Sequence, residues 1–174
     1  MFTSKGEDAT LKLIDFGLSR SFLTNFNTGE KALLRMKTKA GTAFFMPPEV
    51  ILKNYSSSCD MWSAGVILFI MLSGYPPYDG ETQEEIFDSI LEGHVDFEDE
   101  SWDGVSEDAK DLILKLLTTE DKRLSPKKAL KHNWFKTHKI NRKVELQDIH
   151  IERLRNFQKM KKLRKAILTF LGKL

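Results

Sequence analysis

Hydrophobic residues recur at helical spacing along most of the chain, whereas the alternation typical of strands is confined to one short segment. Residues 10–14 alternate polar and apolar side chains and predict a strand. Residues 64–72 form the longest apolar run and predict a buried helix, because the run is too short to span a bilayer. The pattern predicts a mainly α-helical fold, and a lone strand leading into helices is typical of part of a larger domain.

Residues that prefer helix ends mark where the helices are expected to begin and stop. Such residues stand at Pro47-Pro48, Ser56-Ser57-Ser58, Thr82, Ser106 and Ser125-Pro126. Glu85 follows Thr82 by three positions, which predicts a capping box. The longest helix is expected from about Cys59 to Ser73, with Gly74 ending it. Residues 18–46 lack a sustained period, and a loop of that length is usually functional.

Composition and charge narrow the classes of function. The chain has 174 residues, of which 41% are hydrophobic and 30% charged, and this suits one domain with a tail. A net charge of +2 gives no support to nucleic-acid binding.

Cys59 is the one cysteine, so an internal disulfide is excluded and a cytoplasmic location is expected. Peripheral membrane association of the intact protein is the alternative. A structural role for Cys59 is favoured over a catalytic one.

Five short motifs occur in a fixed order along the chain. They are Asp15-Phe16-Gly17, Gly41-Thr42, Pro47-Pro48-Glu49, Asp60-Met61-Trp62-Ser63-Ala64-Gly65-Val66 and Arg123. A tripeptide such as the first motif is found by chance in many proteins and is weak evidence alone. The ordered series, however, resembles the second half of a eukaryotic protein kinase domain. The resemblance covers roughly residues 9–138 and implies a partial C-terminal kinase lobe, which we assign to residues 1–138, from just before the first motif.

The resemblance implies a chemical role for several of these residues. Asp15 matches the aspartate that holds Mg²⁺ on the ATP phosphates, where a carboxylate supplies a hard oxygen ligand. Phe16 is expected to pack between the kinase lobes, and Gly17 to let the backbone flip. Thr42 matches a threonine beside the substrate site, which implies a Ser/Thr protein substrate. Thr38 is a candidate regulatory phosphorylation site, with an ordinary solvated threonine as the alternative.

Other motif residues are expected to be structural. Glu49 and Arg123 should form a buried ion pair that ties the activation segment to the helical lobe. Asp60 should accept backbone N–H bonds from a catalytic loop. Trp62 and Gly65 are expected in the central helix.

The chain also departs from the family's pattern. Pro47 replaces the usual alanine, and Phe44 and Phe45 stand where tyrosines are common. The glycine-rich loop, the ATP-positioning lysine and the His-Arg-Asp catalytic loop are absent from the 174 residues. ATP and Mg²⁺ are therefore expected in the intact kinase and not on this chain, which is predicted to be inactive alone.

A lobe without the rest of its domain is expected to leave apolar helix surface bare. The residues concerned are Val66, Ile67, Phe69 and Ile70. Because bare surface of this kind favours association, self-association or exchange of segments between copies is predicted.

A basic amphipathic segment follows the lobe. A linker is predicted at residues 139–148 and a helix, here called the tail, at residues 149–174. The apolar face of the tail carries Leu154, Phe157, Met160, Leu163, Ile167 and Phe170. Its polar face carries Arg153, Arg155, Lys159, Lys162 and Lys165. Basic amphipathic helices are typical of calmodulin targets and membrane surfaces, and a helix packed on its own domain is the alternative.

Its position after a kinase lobe makes the tail resemble the autoinhibitory junction of calcium-dependent protein kinases. This resemblance implies binding to a C-terminal calmodulin-like EF-hand domain or, as the second choice, to separate calmodulin. The chain has no EF-hand loop of its own. Two functions remain. One is a fragment of a calcium-regulated Ser/Thr kinase that transfers the ATP γ-phosphate to protein, and the other is a non-catalytic kinase-like module that binds calmodulin or a calmodulin-like domain.

Overall fold

The computed structural model describes residues 3–4, 9–19, 36–37, 41–137, 151–157 and 159. The chain separates into two compact units, residues 1–35 and 36–174. In the described part of the second unit the α-helices are α1 (Pro48–Ile51), α2 (Cys59–Ser73), α3 (Gln83–Glu92), α4 (Glu107–Leu116), α5 (Pro126–Ala129) and α6 (Asn133–Thr137). Short 3-10 helices cover Ala43–Phe45 and Glu100–Trp102, and residues 151–157 of the tail are helical. The fold is mainly α-helical, as predicted.

The predicted strand at residues 10–14 is not formed, so that prediction is wrong. Leu11 takes part in a single bridge, and the neighbouring residues have no regular secondary structure. The backbone N–H of Thr3 donates to the carbonyl of Thr10 at 3.0 Å. Alternating side chains suit an extended backbone, but a strand needs a partner along its length. The described part of this unit supplies no such partner beyond the single bridge.

Helix α2 is apolar on nearly every side and lies at the centre of the second unit. Gly65 lets α4 approach closely, because a Cβ there would meet the Cβ of Leu116 at 2.8 Å. Phe69 packs its ring against Trp102, with ring centroids 4.7 Å apart. No helix among the described residues has the length and apolar content needed to cross a membrane.

The expectation of bare surface on α2 is wrong for three of its four residues. Val66, Phe69 and Ile70 are only 0%, 2% and 6% exposed, because other parts of the same unit cover them. Ile67 is 50% exposed, and with Met71 it forms the apolar part of the helix that remains open. The main reason to expect self-association is therefore weaker than the sequence indicated.

Local capping explains several helix ends. Thr82 and Glu85 form the predicted capping box at the start of α3, and Ser106 accepts the N–H of Ala109 at the start of α4. Ser58 precedes α2 without a side-chain cap bond, because its backbone is already helical, with φ of −65° and ψ of −17°. Ser56 accepts the backbone N–H of Ser58 at 3.3 Å, and the hydroxyl groups of both serines donate to Glu120. The serines expected as caps thus also bind a carboxylate that lies 62 residues away from Ser58 in the sequence.

Candidate functional site

The Asp15-Phe16-Gly17 motif forms a tight turn in the first unit. Asp15 has a left-handed backbone with φ of 62°, and its carboxylate accepts the backbone N–H of Gly17 at 3.2 Å. Phe16 is 68% exposed, and its carbonyl accepts the hydroxyl of Ser19 at 2.6 Å. The turn therefore presents an exposed carboxylate held by its own backbone.

The carboxylate of Asp15 is the group at this turn that could bind a metal ion. Among the described residues no group of three or more His, Cys, Asp and Glu side chains is placed to hold a metal ion. Mg²⁺ usually takes one or two protein carboxylates and completes its shell with phosphates and water. Asp15 fits that limited role, and its assignment as a Mg²⁺ ligand stays a prediction.

The segment around Thr42 is anchored to the central helix. Thr42 is exposed and precedes the 3-10 helix Ala43–Phe45. The hydroxyl of Ser63 on α2 donates to the carbonyl of Phe45 at 2.9 Å, which fixes the end of this turn. Phe44 is half-buried, so the phenylalanine makes apolar contacts on this face. The backbone beside Thr42 is thereby held against the lobe.

Arg123 and Glu49 form a buried ion pair at the base of this segment. The Arg123 side chain donates to both carboxylate oxygens, with 3.1 Å between Nη2 and Oε2 of Glu49. It also donates to the carbonyls of Thr118 and Ser58, at 2.9 Å and 3.1 Å. Its guanidinium lies 5.2 Å from the ring centroid of Trp62. Nε donates to the Thr118 carbonyl as well, at 3.2 Å, so all three guanidinium nitrogens are used and α1 is tied to the start of α2.

The remaining structural residues lie along α2. Trp62 is 1% exposed and stacks on Tyr78 at 5.5 Å. Asp60 is exposed, and its carboxylate accepts the Cys59 thiol at 3.7 Å. Burial, followed by the negative charge of Asp60, raises the pKa of the Cys59 thiol to about 12. The thiol therefore stays protonated at neutral pH, which suits a structural cysteine.

The tail helix packs against the lobe through its apolar face. Leu154 and Phe157 are half-buried and contact the apolar core. The ring of Phe157 meets the ring of Phe44 edge-on, with centroids 6.4 Å apart. The tail thus contacts the segment that carries Thr42, two residues before Phe44.

A polar contact holds the same turn of the tail. Arg153 donates to Asp99 at 2.5 Å and to Glu100 at 3.3 Å. Its guanidinium lies 5.7 Å from the ring centroid of Tyr75. We call Tyr75, Asp99 and Glu100 the arginine site. No motif in the sequence marks this site, although the acidic residues of positions 96–100 are opposite in charge to the tail and offer a usable signal.

The arginine site changes the acidity of its members. The hydrogen bond from Arg153 lowers the pKa of Asp99 from 3.8 to about 2, and the backbone N–H of Ser101 adds to this. Burial raises the pKa of Tyr75, whose hydroxyl accepts the indole N–H of Trp102 at 2.9 Å. An open cleft of about 470 Å³ lies beside the site, between Gly74 and Phe157.

Several predicted residues lie outside the part of the chain that the structure describes. They are Thr38, Met160, Leu163, Ile167, Phe170 and the linker at residues 139–148. Their predicted roles therefore stay predictions.

A helical lobe built on α2, with its activation segment tied down by a buried Glu–Arg pair, defines the C-terminal lobe of a protein kinase. The protein kinase domain family matches residues 1–135, and the chain belongs to this family. Among curated proteins it is similar to calcium-dependent protein kinase 3 of Plasmodium berghei (strain Anka), with 38% identity over 99% of this chain. It is similar to calcium-dependent protein kinase 1 of Oryza sativa subsp. japonica, with 41% identity over 97%.

Calcium-dependent protein kinase 6 of Arabidopsis thaliana is 39% identical over 97% of this chain. These comparisons confirm the resemblance drawn from the motifs. The chain spans only 30%, 31% and 30% of the lengths of these three relatives. The activity of a whole kinase is therefore a matter of proposal for this chain.

Proposed function

We propose that this chain is part of a calcium-regulated Ser/Thr protein kinase that transfers the γ-phosphate of ATP to protein. Membership of the protein kinase family and the similarity to calcium-dependent protein kinases support the proposal. In the intact enzyme, ATP with Mg²⁺ would supply the transferable phosphoryl group. Asp15 would hold the ion, and Thr42 would lie beside the Ser or Thr hydroxyl of the substrate.

The ion pair of Glu49 and Arg123 contributes to this function by positioning. It fixes α1 and, through α1, the preceding segment that carries Thr42. Phosphoryl transfer depends mainly on placing the reactants, so a fixed segment at the substrate side matters for the rate. In this proposal Arg123 and Glu49 are positioning residues that do not contact the substrate.

The observation that carries the regulatory part is the packing of Leu154 and Phe157 on the lobe. These two residues also belong to the apolar face expected to bind a calmodulin-type partner. One helix face cannot pack on the lobe and in a partner's groove at once. Binding of calmodulin, or of a calmodulin-like EF-hand domain, would therefore release the tail from the neighbourhood of Thr42. We take residues 1–138, 139–148 and 149–174 as the lobe, linker and regulatory segment.

The 174 residues on their own should not phosphorylate protein, because they contain neither the His-Arg-Asp loop nor the ATP-positioning lysine. A second candidate is a non-catalytic module that presents the tail to a calmodulin-type partner. The burial of Val66, Phe69 and Ile70 favours it, since the apolar side chains of α2 are largely covered within the same unit. Self-association through Ile67 and Met71 remains a separate proposal that sedimentation of the purified chain would test.

The first experiment is a calorimetric titration of the chain with calmodulin, in calcium and then in chelator. We expect binding in calcium only, and weaker binding by Phe157→Ala. Phe135→Ala is the matched control, because Phe135 is 49% exposed on α6, outside the tail. Absence of binding under both conditions would contradict the regulatory part of the proposal.

The second experiment separates the two candidate functions. The protein is expressed from its complete coding sequence and incubated with labelled ATP and a Ser/Thr-containing protein. The control is Asp103→Asn, because Asp103 is an exposed carboxylate outside the kinase motifs. Calcium-stimulated phosphate transfer that Asp15→Asn abolishes and Asp103→Asn preserves would support the kinase. No transfer by a folded, calmodulin-binding protein would favour the non-catalytic module.

A further inference from the structure

Arg153 differs from the other described tail residues in what it contacts. Leu154 and Phe157 offer apolar surface that either the lobe or a calmodulin-type groove can cover. Arg153 instead meets two carboxylates and an aromatic ring on the lobe. Arg155 is exposed on the same helix and takes part in no ion pair with the described residues. Two arginines of equal charge therefore differ in their attachment to the lobe.

The arginine site is held in shape by bonds that do not involve the tail. Asp99 accepts the backbone N–H of Ser101 at 2.8 Å and so caps the 3-10 helix Glu100–Trp102. Tyr75 is fixed by the bond from Trp102 and by edge-on packing against Phe69, at 5.4 Å. A site whose groups are already ordered costs little further entropy when it binds. The lobe thus carries a preformed guanidinium-binding site.

The chemistry of this site selects arginine. A planar guanidinium can donate to two carboxylates while its face lies on an aromatic ring, which a lysine ammonium cannot do together. The neighbouring Gly74 leaves room for the backbone of the tail, because a Cβ there would lie 3.3 Å from the nitrogen of Leu154. The carboxylates of Asp99 and Glu100, the ring of Tyr75 and the space beside Gly74 together fit Arg153.

We propose that the Arg153 contact with Asp99 sets the balance between a lobe-bound tail and a tail available to a calmodulin-type partner. This inference rests on the proposed regulatory function. Leu154 and Phe157 are used in both states, so they contribute to the stability of each. The contact of Arg153 with Asp99 exists in the lobe-bound state alone. Weakening its site shifts the population towards the free tail and so raises the apparent affinity for the partner.

The sharpest test changes the lobe and leaves the tail intact. Asp99→Asn keeps an oxygen to cap Ser101 and removes the negative charge that faces Arg153. Because the tail sequence is unchanged, its intrinsic affinity for calmodulin is unchanged too. Asp103→Asn is the matched control, since Asp103 is exposed and forms no ion pair with the described residues. Both variants are made in the full 174-residue chain.

Two measurements are made on each variant. Hydrogen exchange of the amides of residues 151–157 reports attachment of the tail, and titration with calcium-loaded calmodulin reports its availability. We expect Asp99→Asn to speed exchange and tighten calmodulin binding, each by about threefold to tenfold. Asp103→Asn should match the unmodified chain in both. Arg153→Gln should speed exchange as Asp99→Asn does, and Arg155→Gln should not.

The outcomes separate this inference from the function on which it rests. Unchanged exchange and unchanged calmodulin affinity in Asp99→Asn would overturn the role of the arginine site. Faster exchange with no calmodulin binding by any variant would overturn the proposed partner and retain the attachment of the tail. Faster exchange with unchanged affinity would overturn the proposed balance.

Discussion

A Cβ built on Gly74 would overlap the Cβ of Arg153, so the tail approaches the end of α2 as closely as a glycine allows. Gly74 also ends α2 in the left-handed conformation, with φ of 85°. The same residue thus serves the helix end and the tail. These two roles can be separated by experiment, because Gly93 also ends a helix in the left-handed conformation but has no close contact with the tail.

Gly74→Ala is expected to detach the tail as well as to strain the backbone. A left-handed alanine costs about 1–2 kcal/mol, and the new methyl group would also displace the tail. Gly93 ends α3 with φ of 71°, and a Cβ there would meet its nearest neighbour at 3.9 Å. Gly93→Ala should therefore lower stability by a similar amount without freeing the tail. Hydrogen exchange of residues 151–157 should rise in the first variant only, and equal exchange would contradict the role of Gly74.

The sequence predicted the helices well because their signals are local. The capping box of Thr82 and Glu85 depends on four adjacent positions, and Gly74 marks the end of α2 by its own conformational freedom. The series of motifs placed Glu49 and Arg123 in one pair, and the structure contains that pair. Here a local pattern or a known motif order was sufficient.

Contacts between distant segments could not be read from such signals. The sequence shows that Ser56 and Ser58 suit a helix start, but not that Glu120 lies close enough to take both hydroxyls. It shows α2 as apolar, but not that other segments cover Val66 and Phe69. The arginine site depends on contacts of Arg153 with Tyr75 and Asp99, which are distant from it in the sequence. The sequence itself shows only that Asp99 and Arg153 have opposite charges.

Breaking the buried ion pair is expected to destabilise the second unit strongly. Glu49→Gln leaves the buried Arg123 guanidinium without its counter-charge, and loss of one partner of such a pair costs about 3–5 kcal/mol. The control is Lys115→Met, because Lys115 pairs with Asp111 at an exposed position, where a pair contributes about 0–1 kcal/mol. Urea unfolding of the chain should separate the two variants. Similar midpoints would contradict a structural role for the pair.

The half-buried Tyr75 and the buried Tyr78 should respond differently to loss of the hydroxyl. Tyr75→Phe leaves the indole N–H of Trp102 without its acceptor, which costs about 1–3 kcal/mol. The hydroxyl of Tyr78 is buried and has no hydrogen-bond partner among the described residues. Tyr78→Phe should therefore be neutral or stabilising, because no bond is lost and a buried polar group is removed. Thermal unfolding of both variants measures this, and equal destabilisation would contradict it.

Attachment of the tail should depend on pH only under acid conditions. Arg153 lowers the pKa of Asp99 from 3.8 to about 2. The Asp99 carboxyl group therefore binds a proton less tightly in the folded chain than in the unfolded chain. The stabilisation is fully present above the ordinary pKa and is lost as the pH falls towards 2. Burial raises the pKa of Tyr75, which keeps this tyrosine neutral throughout the acid and neutral range.

The measurement compares the unmodified chain with Asp99→Asn by hydrogen exchange of residues 151–157 between pH 3 and 7, corrected for the intrinsic rate. The difference between the two proteins should be constant from about pH 5 to 7 and should shrink below about pH 4, because protonated Asp99 resembles asparagine. Since both side chains are partly exposed, added salt should shrink the difference at neutral pH as well. A difference that persists unchanged in acid and in high salt would show that apolar packing, and not the charge of Asp99, holds the tail to the lobe.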